Sequence, residues 1–159
     1  MSATGEIYFD DIAVGDSFDF GPYRVTEREL LEFNRKWDSL PIHLDNAAAR
    51  AKGHRGVIAS GQYTLCVKQL FMSQAQWRNA AIGALGFDEL RFPHPVYVDD
   101  ELSATMECVD KRISRSKPDR GVVVLSVRIH NQDGSTVLSY IDTAMFARRD
   151  LGTRGDTGP

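Results

Sequence analysis

From Gly61 to Trp77 the apolar residues Tyr63, Leu65, Cys66, Val67, Leu70, Phe71, Met72 and Ala75 occupy most of the circumference of a helix. A helix that is apolar nearly all round has to be buried, so the rest of the chain must cover it. After a small-residue stretch from Asn79 to Gly86 the pattern turns extended, and Phe87 to Val98, Glu101 to Ser114, Gly121 to Asn131 and Thr136 to Arg148 read as four strands. Leu102, Ala104, Met106 and Cys108 fall at every second position, as do Val123, Leu125, Val127 and Ile129, the spacing of strands with one buried face. Asp99-Asp100, Lys117-Pro118-Asp119-Arg120 and Gln132-Asp133-Gly134 separate the strands, and Asp133-Gly134 is a strong hairpin signal. One long buried helix followed by an antiparallel meander implies an α+β fold with the sheet wrapped around the helix.

Ahead of that helix, Ser17 to Val25 suits a short strand bent at Gly21-Pro22. Thr26 and Glu29 form a capping box for a helix from about Glu27 to Lys36, with Leu30, Phe33 and Trp37 spaced to be buried. Pro41 disfavours helical geometry at Leu40, which makes Asp38 to Leu44 irregular backbone just past a helix end. Asp45 can cap a short helix from Asn46 to Lys52 that Gly53 ends, and Ser60 can cap the central helix.

An acid and an imidazole, Asp38 and His43, thus stand five residues apart beside a glycine amide, Gly61, at a helix N-terminus. These are the parts of a hydration site, where adding water to a double bond needs a base for the water, an acid to return a proton and donors for the negative charge that develops. These residue types can supply all three without a metal. Taken alone they also suit a plain reading, in which Asp38 ends a helix, His43 is a satisfied loop residue and Gly61 is a tight helix start. Ser60 is more simply an N-cap than a substrate contact, and Asp45 the cap of its own helix.

At 159 residues the chain is long enough for one real core and too short for two. The formal charge of −3 argues against broad binding to nucleic acid or an anionic membrane and favours a small-molecule partner. Cys66 and Cys108 have neither metal-ligand nor disulfide spacing and read as small core residues. His54, His94 and His130 are not spaced as a metal set and read as rim, loop and surface, while Arg112, Arg115, Lys117 and Arg120 read as a solvated basic loop, with contact to a phosphate the lesser reading. Met1 to Asp11 has no cationic start and no apolar run, and no segment approaches a membrane span, so a cytoplasmic location is the default. Residues 150–159, with three glycines and almost nothing to bury, read as a disordered tail behind a single domain of residues 1–149.

Three segments in order, Trp37 to Asp45, Gly56 to Thr64 and Gly86 to Asp100 (GFDELRFPHPVYVDD), with NQDGSTVLS as weaker support, make the chain resemble the MaoC-like dehydratases and (R)-specific enoyl-CoA hydratases. The resemblance runs from Phe9 to Arg149 and implies the hotdog fold, an antiparallel sheet wrapped around a long central helix. It implies Asp38 and His43 as the catalytic pair and Gly61 as the oxyanion-hole amide. Leu40, Ser60, Gln62 and Tyr63 are then the neighbours of the acyl group. The chain departs from the commonest pattern at Leu40, where many members carry asparagine, and at Ser60, where many carry histidine; both changes bear on the substrate rather than on the Gly61 amide. No cofactor is implied, since coenzyme A or an acyl carrier is part of the thioester substrate; the phosphate in the lesser reading of the basic loop would be that of coenzyme A. A homodimer joined edge to edge, or an assembly of such dimers, is implied too. Two other roles belong to the same fold. A non-catalytic acyl-binding subunit would be expected to lose the acid or the histidine, and both are present; thioesterases generally place an acid on the central helix, and Gly61 to Trp77 contains none.

Overall fold

The computed structural model describes residues 5–149. Five antiparallel strands form one sheet in the order β1-β3-β4-β5-β2: β1 Ser17–Arg24, β2 Ala81–Arg91, β3 Glu101–Ile113, β4 Arg120–His130 and β5 Thr136–Ala147. Helix α3, Gly61–Gln74, lies against the sheet, and α1 (Glu27–Trp37) and α2 (Asn46–Ala51) fill the connection between β1 and α3. This is the α+β sheet-on-helix arrangement expected.

The alternation along β3 and β4 is what makes the core. Leu102, Ala104, Met106 and Cys108 of β3 and Val123, Leu125, Val127 and Ile129 of β4 are buried in one cluster with Tyr63, Val67 and Phe71 of α3. Trp77, just past the helix end, is buried among Phe18, Phe20 and Phe146 with ring centroids 4.4, 5.7 and 6.2 Å away. Side chains of this size are worth about 1.5–3 kcal/mol each in removal from water, so the cluster fixes how α3 is seated on the sheet. The bend in β1 falls where expected. At Gly21 the backbone has φ +102°, and a Cβ would stand 2.7 Å from the Leu102 carbonyl, so only glycine fits; the Gly21-Pro22 peptide bond is cis and the pairing with β3 shifts between Phe20 and Tyr23.

Four expectations need correcting. The strand expected from Phe87 to Val98 runs instead from Ala81 to Arg91, because Pro93 and Pro95 lack the N–H groups a ladder needs. The small residues that hid its start belong to an edge strand with nearly every position exposed, which therefore has no buried face to print an alternation. Helix α3 is buried on one side only: Thr64 and Lys68 join Tyr63, Val67 and Phe71 inside, whereas Gln62, Cys66, Gln69 and Leu70 are exposed. Cys66 is thus a surface thiol, while Cys108 is in the core. Trp37, expected inside, is 66% exposed with Lys36 over its ring, because α1 turns Leu30 and Asn34 inward. Arg112, Arg115 and Lys117 are exposed, as a solvated loop should be. The expected tail, residues 150–159, lies outside the described residues. Among the described residues no helix is long and apolar enough to cross a membrane.

Candidate active site

Thr26 caps α1 by accepting the Glu29 N–H, while the Glu29 carboxylate turns to the Tyr23 hydroxyl rather than closing a capping box. The helix ends at Trp37. Asp38 follows as its C-cap, with φ −154° carrying the chain away and its N–H still donating to the Asn34 carbonyl at 2.9 Å. Pro41 then starts a single 3₁₀ turn, Pro41–His43, that swings the His43 ring inward until it is buried. Asp45 accepts the Ala48 N–H at 2.7 Å and caps α2, as its sequence position implied, so its nearness to His43 is incidental.

His43 is held by a specific bond. Its Nδ1 lies 2.8 Å from the Ile58 carbonyl oxygen, which can only accept, so Nδ1 carries the proton. In the neutral ring the lone pair is then on Nε2, and Nε2 stands 3.4 Å from Asp38 Oδ2. Asp38 Oδ2 also accepts from the Ser60 hydroxyl at 2.7 Å. The same hydroxyl oxygen accepts the Gln62 N–H at 3.2 Å, so Ser60 caps α3 and steadies the carboxylate with one group.

A cavity of about 420 Å³ opens against these groups. Asp38, His43, Ser60, Gly61 and Gln62 line it together, with Ile58, Phe92, Val96 and Val137 giving it apolar wall. Gly61 is the first residue of a 14-residue helix, and its N–H has no acceptor among the described residues. Such a group at the positive end of a helix is ready for a developing negative charge. A Cβ at Gly61 would lie 2.8 Å from Cζ of Phe92, so the glycine also makes room for the ring that roofs this turn.

Two residues expected at the acyl group fall elsewhere. Tyr63 is 2% exposed and turned into the core against Phe33, ring centroids 5.5 Å apart, because one residue past Gln62 is about 100° round the helix. Burial and the neighbouring Tyr23 push its phenol pKa well up. Leu40 is 55% exposed and outside the cavity wall, since Pro41 holds its backbone extended at the surface. His54 and His94, read as rim and loop, both line the cavity, and His94 Nδ1 is fixed 2.9 Å from the Thr136 carbonyl.

Sequence reasoning passed over Asn34, which is completely buried beneath the site. The signal for it was present: a polar residue four positions after Leu30 and four before Asp38, on one face of α1. The loop after β2, inside the expected Phe87 to Val98 strand, forms part of the cavity wall through Phe92 and Val96. Its shape comes from Asp100, buried, which accepts the Tyr97 N–H at 2.8 Å and bonds Arg55 at 3.2 Å and Gln132 at 3.0 Å.

The sequence profile of the MaoC like domain matches residues 11–128. The chain belongs to that family. A crystal structure of the MaoC-like dehydratase of Rhodospirillum rubrum superposes with a TM-score of 0.85 at 31% identity, covering 91% of this chain and 99% of that one. The (R)-hydratase of Pseudomonas aeruginosa gives a TM-score of 0.71 at 25% identity over 89% of this chain and 86% of its own. A Mycobacterium tuberculosis protein with a double hotdog fold, 24% identical with a TM-score of 0.81, covers 95% of this chain with 47% of its own and shares the fold. Among relatives by sequence, an uncharacterized Bacillus subtilis protein is 27% identical over 124 residues, 77% of this chain and 86% of its own. The mesaconyl-CoA hydratase of Haloarcula marismortui is 32% identical over 84 residues, 47% of this chain but 24% of that longer protein. The hotdog MaoC-like fold and a family that includes hydratases are therefore established for this chain.

Proposed function

We propose that this MaoC-like chain catalyses the reversible hydration of a trans-2-enoyl thioester, of coenzyme A or an acyl carrier, to the 3-hydroxyacyl thioester. The observation that supports it most is the meeting, on one cavity, of a carboxylate, an imidazole whose Nδ1 is already engaged, and an unpaired amide at a helix N-terminus. Asp38 and His43 Nε2 hold one water between them. Asp38 takes a proton from it as the oxygen bonds to C3, and the C2=C3 electron pair moves toward the thioester, whose oxygen is met by the Gly61 N–H. The proton held by the Asp38–His43 pair then passes to C2, with His43 returning it, so one water is added and the pair ends as it began. Ser60 and Gln62 border the acyl group, and Phe92, Val96 and Val137 offer it an apolar wall.

The exposed β2 edge, with Ile82, Leu85 and Phe87 uncovered, supports a homodimer joined through that strand. The test of the activity is the fall in conjugated enoyl-thioester ultraviolet absorbance when the purified protein meets short and medium trans-2-enoyl-CoA substrates. Turnover with a 3-hydroxyacyl product is the expected result. A folded protein that binds these thioesters and leaves their absorbance unchanged would instead be an acyl-binding subunit.

A further inference from the structure

Asn34 lies in the last turn of α1, four residues before the C-cap Asp38, with no exposure at all. Its amide is committed entirely to the backbone of the two segments that carry the site. Nδ2 donates to the His43 carbonyl at 2.9 Å and to the Ile58 carbonyl at 3.3 Å, and Oδ1 accepts the Ser60 N–H at 3.3 Å. Each of these contacts lands on a residue with a second task. The Ile58 carbonyl is the oxygen that receives His43 Nδ1–H, and Ser60 is the residue whose hydroxyl holds Asp38.

Only an amide can do this at that position, because it alone offers two N–H donors and a carbonyl acceptor in so short a side chain. Aspartate keeps the shape and the bond to the Ser60 N–H but loses both donors. Alanine loses everything. A buried polar group whose partners are gone is costly in itself, so a drop in stability would accompany a purely structural role just as well.

We propose that Asn34 is a positioning residue of the site. It locks the Pro41–His43 turn, the Ile58 carbonyl and the start of α3 to one another, which keeps His43 in its Nδ1–H form and keeps the Asp38 carboxylate and the Gly61 amide on the same cavity. Its effect on turnover rests on the hydratase reading; its effect on the imidazole does not.

The experiment is long-range ¹H–¹⁵N correlation spectroscopy of the imidazoles in the 159-residue chain labelled at histidine, at alkaline pH, for wild type, Asn34→Asp and Asn34→Ala. Enoyl-thioester kinetics run beside it. Wild type shows His43 as the Nδ1–H tautomer, and both variants show a mixture with Nε2–H. In Asn34→Asp, the variant that preserves shape, kcat falls about ten- to a hundredfold while KM stays within about threefold, the signature of misplaced reacting groups rather than lost binding. A wild type resting in the Nε2–H form overturns the proposal without any variant. So does a folded Asn34→Asp whose His43 spectrum and kcat match wild type. A protein that hydrates nothing yet loses the Nδ1–H form in the variants would sink the hydratase reading and leave the role of Asn34 standing.

Discussion

A methyl group at Gly61 would meet the Phe92 ring at 2.8 to 3.1 Å, closer than carbon atoms tolerate, although Phe92 is partly exposed and can yield. The site would give before the fold does. Gly61→Ala is therefore expected to lower kcat/KM about ten- to a hundredfold through a displaced ring and a narrowed cavity, with a small change in melting temperature. Removing the obstacle in the same chain, with Phe92→Ala added, should return part of the loss. Equal losses in the single and double variants would mean that the ring is not what the methyl strikes. At this scale the meeting of Asp38, His43 and Gly61 on one cavity was legible because it depends on residue type and spacing around two helix ends. Leu40 and Tyr63 were misplaced because direction round a turn of backbone or helix decides what a side chain faces, and spacing in sequence does not.

Among the elements, α3 and β5 meet through a buried ion pair that no sequence pattern announced. Lys68 Nζ lies 3.6 Å from Asp142 Oδ2, both side chains almost fully buried, with the ammonium 4.8 Å from the Phe87 ring centroid and Asp142 Oδ1 without a hydrogen-bond partner among the described residues. Burial pushes the lysine pKa down and the aspartate up, and each charge pulls the other back. Lys68→Met strands a buried carboxylate and should cost about 3–5 kcal/mol in denaturant unfolding, whereas Lys68→Met with Asp142→Leu should regain most of it. Additive losses in the double variant would contradict this.

A second contact of elements is sensitive to acid. Arg149 bonds Asp11 at 2.7 Å and Arg148 bonds Asp10 at 2.9 Å, clasping the end of β5 to the Phe9–Asp11 turn. The Arg149 hydrogen bond, with the Tyr8 N–H, holds the Asp11 carboxyl below its ordinary value of 3.8. The unfolded chain binds the proton first as pH falls, so the stability from this clasp is complete above that value and lost as pH drops through the lowered one. Carboxyl chemical shifts should show Arg149→Ala moving the Asp11 midpoint up toward 3.8. An unmoved midpoint would mean that the arginine is not its cause.

Over the whole molecule, the strands that cover α3 were readable because each has one dry face, as the Leu102 to Cys108 alternation shows. β2 was misread for the opposite reason, since an edge exposed on both faces carries no such pattern. That exposed edge gives a prediction for the assembly: Leu85→Asp should shift the sedimenting species from dimer to monomer with the secondary structure intact, and a dimer indifferent to the change would place the interface elsewhere. The proposed chemistry is tested by turnover of a trans-2-enoyl-CoA by Asp38→Asn beside wild type at equal folded concentration. With Asp38 as the proposed base, the substitution should lower kcat about a hundred- to ten-thousandfold with little change in KM. A wild type that hydrates the thioester and an Asp38→Asn variant that hydrates it equally fast would show that this carboxylate is not the base.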